Sequence, residues 1–127
     1  MTLEHKDEDR RAHPRFRVPE GAFAALSPDS TIMGQIENIS RGGLCFRYIV
    51  HDEQVDEMDA THIFVGMEGF YLEKMPYQTI DDIQIQSEAS LKLINMRRRR
   101  IQFTSLTPGQ DAQLKYFLDH RTSGIVR

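Results

Sequence analysis

Residues 38–50 combine a tight loop with a strand. They read Asn38-Ile-Ser-Arg-Gly-Gly-Leu-Cys-Phe-Arg-Tyr-Ile-Val50. After the Gly42-Gly43 break, apolar residues occupy every second position, as a strand with one buried face requires. The buried face is expected to carry Leu44, Phe46, Tyr48 and Val50, and the other face Cys45 and Arg47. The pattern therefore predicts a half-buried strand that follows a glycine loop.

Further short strands are predicted on both sides of this stretch. Residues 21–27 and 31–38 predict a hairpin that turns at 28–30. Pro76 interrupts the later run, and an extended pattern resumes after it. The remaining strands are predicted at 62–67, 70–74, 77–80 and 96–105.

One helix is predicted after the last strand. Thr107 suits the N-cap, Pro108 suits the first helical position, and Gln110 completes a capping box. The apolar stripe of this helix consists of Leu114, Phe117 and Leu118. Gly124 is expected to end the helix, with Arg121 in its last turn.

The chain length and the short connections limit the fold class. The 127 residues correspond to one domain, and the single cysteine excludes a disulfide framework. Short strands followed by one helix predict a mainly β protein, a small antiparallel barrel or sandwich with the helix over an open end. Parallel crossovers need about a dozen residues or more, so a doubly wound nucleotide fold is excluded.

Charge is segregated along the chain. Sixteen Lys and Arg against nineteen Asp and Glu give a net charge of −3, and twelve of the basic residues are arginines. Eight of these arginines fall in two clusters, at 10–17 and 97–100. Arginine carries a planar fork that binds phosphate or a guanine edge with two hydrogen bonds. The acidic stretch at 52–59 predicts a solvated loop.

Residues 1–15 are predicted to form a flexible arm, and residues 16–127 the folded barrel. The first fourteen residues hold almost no apolar material apart from Leu3. They also lack the apolar run of a signal peptide, and no run in the chain reaches the ~18 residues of a membrane span. A cytoplasmic protein without membrane insertion is therefore expected.

Two short motifs carry the functional signal. They are Arg11-Ala-His-Pro-Arg15 and Asn38-Ile-Ser-Arg-Gly-Gly43. Taken alone, a basic segment near acidic residues is usually solvated, and an Asn-x-Ser-x-Gly-Gly loop is usually a turn. Together they supply forked donors and a tight loop with exposed backbone N–H groups, which an anionic ligand with two phosphates and flat purines needs.

The order and spacing of these motifs resemble the PilZ family. Its signatures are Arg-x-x-x-Arg in an N-terminal segment and (Asp/Asn)-x-Ser-x-x-Gly after the second strand. The resemblance extends to residues 70–76 and 96–121, and covers nearly the whole chain. Asn38 stands where the family often has Asp, and Arg100 stands where it often has a small residue, so Arg100 either adds a ligand contact or crowds the site.

The resemblance implies a six-stranded antiparallel β-barrel with a C-terminal α-helix that binds the bacterial second messenger cyclic di-GMP (c-di-GMP). The implied ligand-binding residues are Arg10, Arg11, Arg15, Asn38, Ser40 and Gly43. Arg11 and Arg15 would hold guanine edges and phosphates, and the loop residues would receive a guanine. Arg10 would stack on a second ligand and neutralise its phosphate, so two c-di-GMP molecules per chain are expected. Ligand binding would order the arm and regulate a protein partner that the sequence does not identify.

Two other functions stay open from the sequence. One is a PilZ-like interaction module that does not bind nucleotide, and the other is an RNA binder that uses the arginines at 97–100. The net charge and the lack of interleaved aromatic residues disfavour RNA binding, and we expect this run to be a solvated face. No nucleophile, carboxylate pair or histidine spacing indicates catalysis or a metal, so neither an enzyme nor a cofactor other than the ligand is expected.

Overall fold

The computed structural model describes residues 13–27, 32–50, 61–67, 69–85 and 95–126. These ranges contain eight strands and one helix. In chain order they are β1 (Phe16–Arg17), β2 (Phe23–Ser27), β3 (Met33–Ile39), β4 (Gly43–Val50), β5 (His62–Met67), β6 (Phe70–Ile85), β7 (Asn95–Phe103), α1 (Pro108–His120) and β8 (Gly124–Ile125). The prediction of a mainly β chain with one C-terminal helix is confirmed.

Six of the strands close into an antiparallel barrel. Neighbouring strands follow the order β2-β5-β6-β7-β4-β3, and β2 pairs back onto β3, which removes the open edges of this sheet. The same pairing confirms the predicted hairpin of β2 and β3. Outside the closed ring, β1 pairs with β3 on one side and with β8 on the other. The strand that follows the arm is therefore held between the barrel and the C-terminal strand.

Alternate residues of the strands fill the barrel interior. On β4, Leu44, Phe46 and Tyr48 belong to the hydrophobic core, as the alternation predicts. The largest fully buried side chains are Phe46, Phe117, Leu26, Ile36, Ile39, Ile63, Leu72, Met75, Ile101, Leu114 and Val65. Because burying one large apolar side chain contributes about 1.5–3 kcal/mol, this set is the main source of stability.

The helix begins where the sequence predicts. Thr107 Oγ1 accepts the backbone N–H of Gln110, and the Gln110 side chain accepts the N–H of Thr107, both at 3.0 Å. The predicted stripe of Leu114, Phe117 and Leu118 is buried. Phe117 stacks on Phe70 of β6, with 5.3 Å between the ring centroids. The capping box and the apolar stripe are both confirmed.

The helix ends before the predicted glycine. Arg121 is the C-cap, and its N–H donates to the carbonyl of Phe117 at 2.8 Å. Gly124 instead opens β8, with a φ of 135° that side-chain-bearing residues rarely adopt. Two backbone hydrogen bonds hold the returning chain, from Ser123 N to Arg17 O at 2.9 Å and from Val126 N to Arg15 O at 2.8 Å.

Strand β6 runs without interruption through Pro76, where the sequence predicted a break. Pro76 pairs with His62 on β5, and the next residue, Tyr77, pairs with Phe103 on β7. The proline, which has no N–H to donate, therefore lies where the strand passes from one partner to the next. The two separate strands predicted at 70–74 and 77–80 are wrong, since one strand spans both.

Several predicted features lie outside the described ranges. They are residues 1–12 with Arg10 and Arg11, the turn at 28–30 and the acidic stretch at 52–59. Across the described part of the chain, no helix combines the length and the hydropathy needed to cross a membrane.

Candidate functional site

The loop between β3 and β4 is shaped by its own serine. Ser40 is buried, and its N–H donates to the carbonyl of Gly43 at 2.8 Å. Ser40 Oγ accepts the N–H of Gly42 at 3.0 Å and donates to the carbonyl of Gly43 at 3.4 Å. The N–H of Phe103 on β7 donates to the carbonyl of Gly42 at 2.8 Å. The hydroxyl and β7 together hold the loop in one conformation.

This loop contacts both the arm motif and the helix. A Cβ atom placed on Gly42 would lie 3.2 Å from Cδ2 of His13, so the imidazole lies directly against the glycine. Arg41 Nη2 donates to both carboxylate oxygens of Asp111, at 3.1 and 2.9 Å. Asp111 lies in the first turn of α1, where the helix dipole favours a negative charge. The loop therefore joins two segments that are distant in sequence.

Strand β1, which directly follows the arm motif, lies beside the asparagine of the loop motif. Arg17 pairs in register with Asn38 of β3, and direct cross-strand neighbours share one face of the sheet. Arg15 lies close enough to Cys45 for its positive charge to favour the thiolate. We call the face that carries these side chains the outer face.

The outer face contains one continuous row of cross-strand neighbours. This row consists of Arg17 on β1, Asn38 on β3, Cys45 on β4, Arg100 on β7 and Asp81 on β6. Because adjacent strands lie about 4.8 Å apart, the row is about 19 Å long. The row is therefore long enough to span a ligand the size of a dinucleotide.

A cluster around Glu37 covers the middle of the outer face. A β-bulge in β3 adds Glu37 as an extra residue beside the row. Its carboxylate accepts two hydrogen bonds from Arg98, at 2.8 and 3.2 Å, and lies 2.8 Å from Nε of Arg47. The thiol of Cys45 donates to the same carboxylate at 3.5 Å. Burial raises the pKa of Cys45 to about 12, and Glu37 acts in the same direction, so the thiol is protonated at neutral pH.

Arg100 and Asp81 form a second ion pair on the outer face. Arg100 Nε donates to the two carboxylate oxygens of Asp81 at 3.1 and 3.0 Å, and Nη2 donates to Oδ2. The hydrogen bonds from Arg100 lower the pKa of Asp81. The guanidinium is therefore on the same face as Asn38, two strands away, and is already neutralised by a carboxylate.

Arg97 and Arg99 project to the opposite side of β7. Arg99 is only 3% exposed, and its Nε donates to Asp82 at 2.9 Å, while Arg97 Nε donates to the other oxygen of Asp82 at 2.7 Å. The Tyr48 hydroxyl also donates to Asp82; burial, and then this hydrogen bond, raises the pKa of Tyr48. The expectation of a solvated face at residues 97–100 holds for Arg98 and Arg100, whose side chains are 38% and 42% exposed, and is wrong for the buried Arg99. All four arginines bond carboxylates, which lie on β6 or, for Arg98, on β3. The run is not the unpaired basic surface that an RNA binder needs.

The structure describes four of the six predicted ligand-binding residues, and they lie around one loop and the strands beside it. These four are Arg15, Asn38, Ser40 and Gly43, whereas Arg10 and Arg11 are outside the described residues. Sequence reasoning missed the carboxylates that neutralise the arginine run, because their cross-strand register is not visible in the sequence. Within the described ranges, no group of three His, Cys, Asp or Glu side chains is arranged to hold a metal.

This chain resembles known proteins in fold rather than in sequence. No family model matches the sequence, and no curated protein does so significantly. A crystal structure of YcgR from Escherichia coli in complex with c-di-GMP is similar, with a TM-score of 0.59 and 19% sequence identity over 87% of this chain. The chain has the PilZ fold.

The similarity to YcgR is one of fold. The match spans 45% of the YcgR chain, so less than half of that protein has a counterpart here. The shared fold comprises the closed six-stranded antiparallel barrel and the C-terminal helix. It confirms the fold class that the two motifs imply.

Proposed function

We propose that this chain is a c-di-GMP receptor that binds its ligand on the outer face beside Asn38. The observation that carries this proposal is the meeting of the two motifs, which are far apart in sequence. His13 of the arm motif lies against Gly42. Arg17, two residues after the arm motif, pairs with Asn38, so the arm motif reaches the surface that carries the loop motif. The PilZ fold and the c-di-GMP complex of the similar E. coli protein support the choice of ligand.

The proposed roles follow from the chemistry of the ligand. The dinucleotide carries two phosphates and two guanines, and Arg11 and Arg15 supply forked donors for guanine edges and phosphate oxygens. The amide of Asn38 offers both an acceptor and donors to a guanine. Ser40 acts through the loop, because its hydroxyl already holds Gly42 and Gly43 in place. All of these proposed contacts are non-covalent and leave the ligand unchanged, so the proposed function is that of a receptor.

Arg15 is available for such a ligand. Its guanidinium makes no hydrogen bond or ion pair within the described residues, and its backbone is held by Val126. Charge-assisted hydrogen bonds contribute about 1.5–3 kcal/mol each. We therefore expect Arg15→Ala to weaken c-di-GMP binding at least about tenfold and to leave the melting temperature of the free protein nearly unchanged.

Isothermal titration calorimetry of the full chain with c-di-GMP tests the proposal. Arg15→Lys is the matched variant, because it keeps the charge and removes the planar fork, and its affinity should fall between those of the native protein and Arg15→Ala. GMP serves as the ligand control, since it offers one guanine and no cyclic backbone. Absence of any binding heat for the native protein would favour the alternative, an interaction module that does not bind nucleotide.

The proposal includes a change in the arm. The composition of residues 1–14 offers too little apolar surface for independent packing, so ligand contacts through Arg10 and Arg11 would order the arm against the barrel. Hydrogen exchange measured by mass spectrometry should show new protection around residues 10–17 on ligand addition. Residues 101–103 of β7 should be protected in both states. Equal arm protection with and without c-di-GMP would contradict this coupling.

A further inference from the structure

Two arginines beside the proposed site differ from the other described arginines. Six described arginines pair with carboxylates, namely Arg41, Arg47, Arg97, Arg98, Arg99 and Arg100. Arg121 lies over the Phe70 ring at 5.7 Å. Within the described residues, the guanidinium groups of Arg15 and Arg17 form neither a hydrogen bond nor an ion pair. Arg15 belongs to the arm motif, whereas Arg17 belongs to neither motif.

The backbone of Arg17 is held on both sides. It pairs with Asn38 of β3, and its carbonyl accepts the N–H and the hydroxyl of Ser123 at 2.9 and 3.4 Å. The side chain itself is exposed. An unpaired cation on a fixed backbone loses little conformational freedom of the main chain when it binds an anion. Arg17 is therefore better prepared for a ligand than a surface arginine on a loop.

We propose that Arg17 is an additional ligand-binding residue whose guanidinium binds a phosphate of the c-di-GMP molecule that contacts Asn38; this inference rests on the proposed function. Arg17 and Asn38 lie on adjacent strands, about 4.8 Å apart. In a nucleotide, one sugar separates the base from its phosphate by a similar distance, so a base at Asn38 places a phosphate near Arg17. A guanidinium fork matches two phosphate oxygens.

The charges of the outer face favour phosphate as the group that Arg17 binds. The ligand brings two negative charges, and the other arginines of this face are already neutralised. Glu37 pairs with Arg47 and Arg98, and Asp81 pairs with Arg100. Within the described residues, only Arg15 and Arg17 have guanidinium groups on this face without a carboxylate partner, so these two groups can bind phosphate without first breaking an ion pair.

Calorimetry with c-di-GMP measures the contribution of Arg17. Arg17→Ala should bind about tenfold more weakly than the native protein, and Arg17→Lys should fall between the two, because lysine keeps the charge without the fork. Arg121→Ala is the matched control, since it removes the same charge from a guanidinium that already contacts Phe70, and its affinity should stay within about twofold of native. All three variants should keep the native circular dichroism spectrum.

Phosphorus NMR of the bound ligand identifies the group that Arg17 contacts. Arg17→Lys should shift a ³¹P resonance of bound c-di-GMP, whereas Arg121→Ala should leave the spectrum unchanged. Native binding with no effect of Arg17→Ala would overturn this inference and leave the proposed function intact. Weaker binding by Arg17→Ala, with an unchanged ³¹P spectrum for Arg17→Lys, would assign Arg17 to a base and overturn the phosphate contact. A native protein that binds no c-di-GMP would overturn both proposals.

Discussion

At Gly43 the backbones of β4 and β7 approach too closely for a side chain. A Cβ atom on Gly43 would lie 2.1 Å from the carbonyl oxygen of Ile101. We expect Gly43→Ala to lower the free energy of unfolding by about 1–3 kcal/mol, the usual cost of overpacking, because the two strands must move apart. Urea denaturation of the free protein measures this change.

Gly109→Ala is the control for this prediction. Gly109 lies in the first turn of α1, and the nearest atom to an added Cβ is 3.9 Å away. Alanine should stabilise the helix there by up to about 1 kcal/mol. If both substitutions change the free energy of unfolding equally, the close contact with Ile101 does not destabilise Gly43→Ala. Gly43 would then be important mainly for ligand binding.

Cys45 should make stability depend on alkaline pH. Its pKa is raised to about 12 in the folded protein from 9.0 when solvated, so folding favours the protonated thiol. That stabilisation is complete below pH 9 and is lost as the pH rises through 12. A shift of this size corresponds to at most about 4 kcal/mol. Denaturation at a series of pH values should therefore show a falling free energy of unfolding in this window.

The comparison with Cys45→Ala isolates the thiol. Tyr48, whose pKa is also raised, contributes with the same sign above pH 10 in both proteins. The alanine variant is expected to lose some stability at every pH from the smaller side chain, so the slope between pH 9 and 12 is the quantity to compare. Parallel curves for the two proteins would contradict the prediction.

Among the elements, α1 begins at a cap whose contacts are local in sequence. Thr107→Ala removes the hydroxyl that accepts the N–H of Gln110, and should cost about 1 kcal/mol of unfolding free energy. Thr107→Ser keeps this acceptor and should stay close to native in thermal denaturation. If serine is as damaging as alanine, the methyl group rather than the cap hydroxyl supplies the stabilisation.

Local contacts also explain which elements the sequence predicts. The capping box of α1 spans four residues, and the alternation of β4 is visible in eight, so both are predicted correctly. The buried stripe of the helix follows from the same short-range periodicity. The turn between β3 and β4 is predicted for the same reason, since Ser40 bonds Gly42 and Gly43 within four residues of sequence.

Cross-strand contacts explain what the sequence does not predict. Whether Pro76 breaks a strand depends on which strands lie beside it, and β6 changes its partner there. The arginines at 97–100 are neutralised by Asp81, Asp82 and Glu37, up to 61 residues away in sequence. The sequence predicts that successive arginines of β7 point to opposite faces. It does not predict which residues lie opposite them, because that depends on the register of the barrel strands. That Arg17 has no carboxylate partner among the described residues also depends on this register.

For the whole molecule, the number of bound ligands is the sharpest prediction. We expect two c-di-GMP molecules per chain, because Arg10 adds a guanidinium that can stack on an exposed guanine and neutralise a second dianion. Without such a cation, two adjacent ligands would repel each other. Calorimetry should give a molar ratio near two for the native protein and a lower ratio for Arg10→Leu, with binding retained.

Two results would contradict the predicted role of Arg10 in binding a second ligand. A native ratio of one would show that Arg10 does not recruit a second ligand. Complete loss of binding in Arg10→Leu would place Arg10 with Arg11 and Arg15 in the primary site. Sedimentation velocity of the ligand-bound protein serves as the control, since a ligand shared between two chains would lower the ratio and raise the mass.

The hydrogen bond between Arg15 O and Val126 N, at 2.8 Å, brings the entry and the exit of the described barrel together. A domain whose two ends adjoin can be spliced into a surface loop of a host enzyme without spreading that loop. We therefore expect residues 13–126 to fold when they are inserted into a surface loop of an unrelated host protein. Any rearrangement of β1 or β8 would then displace both splice points at once.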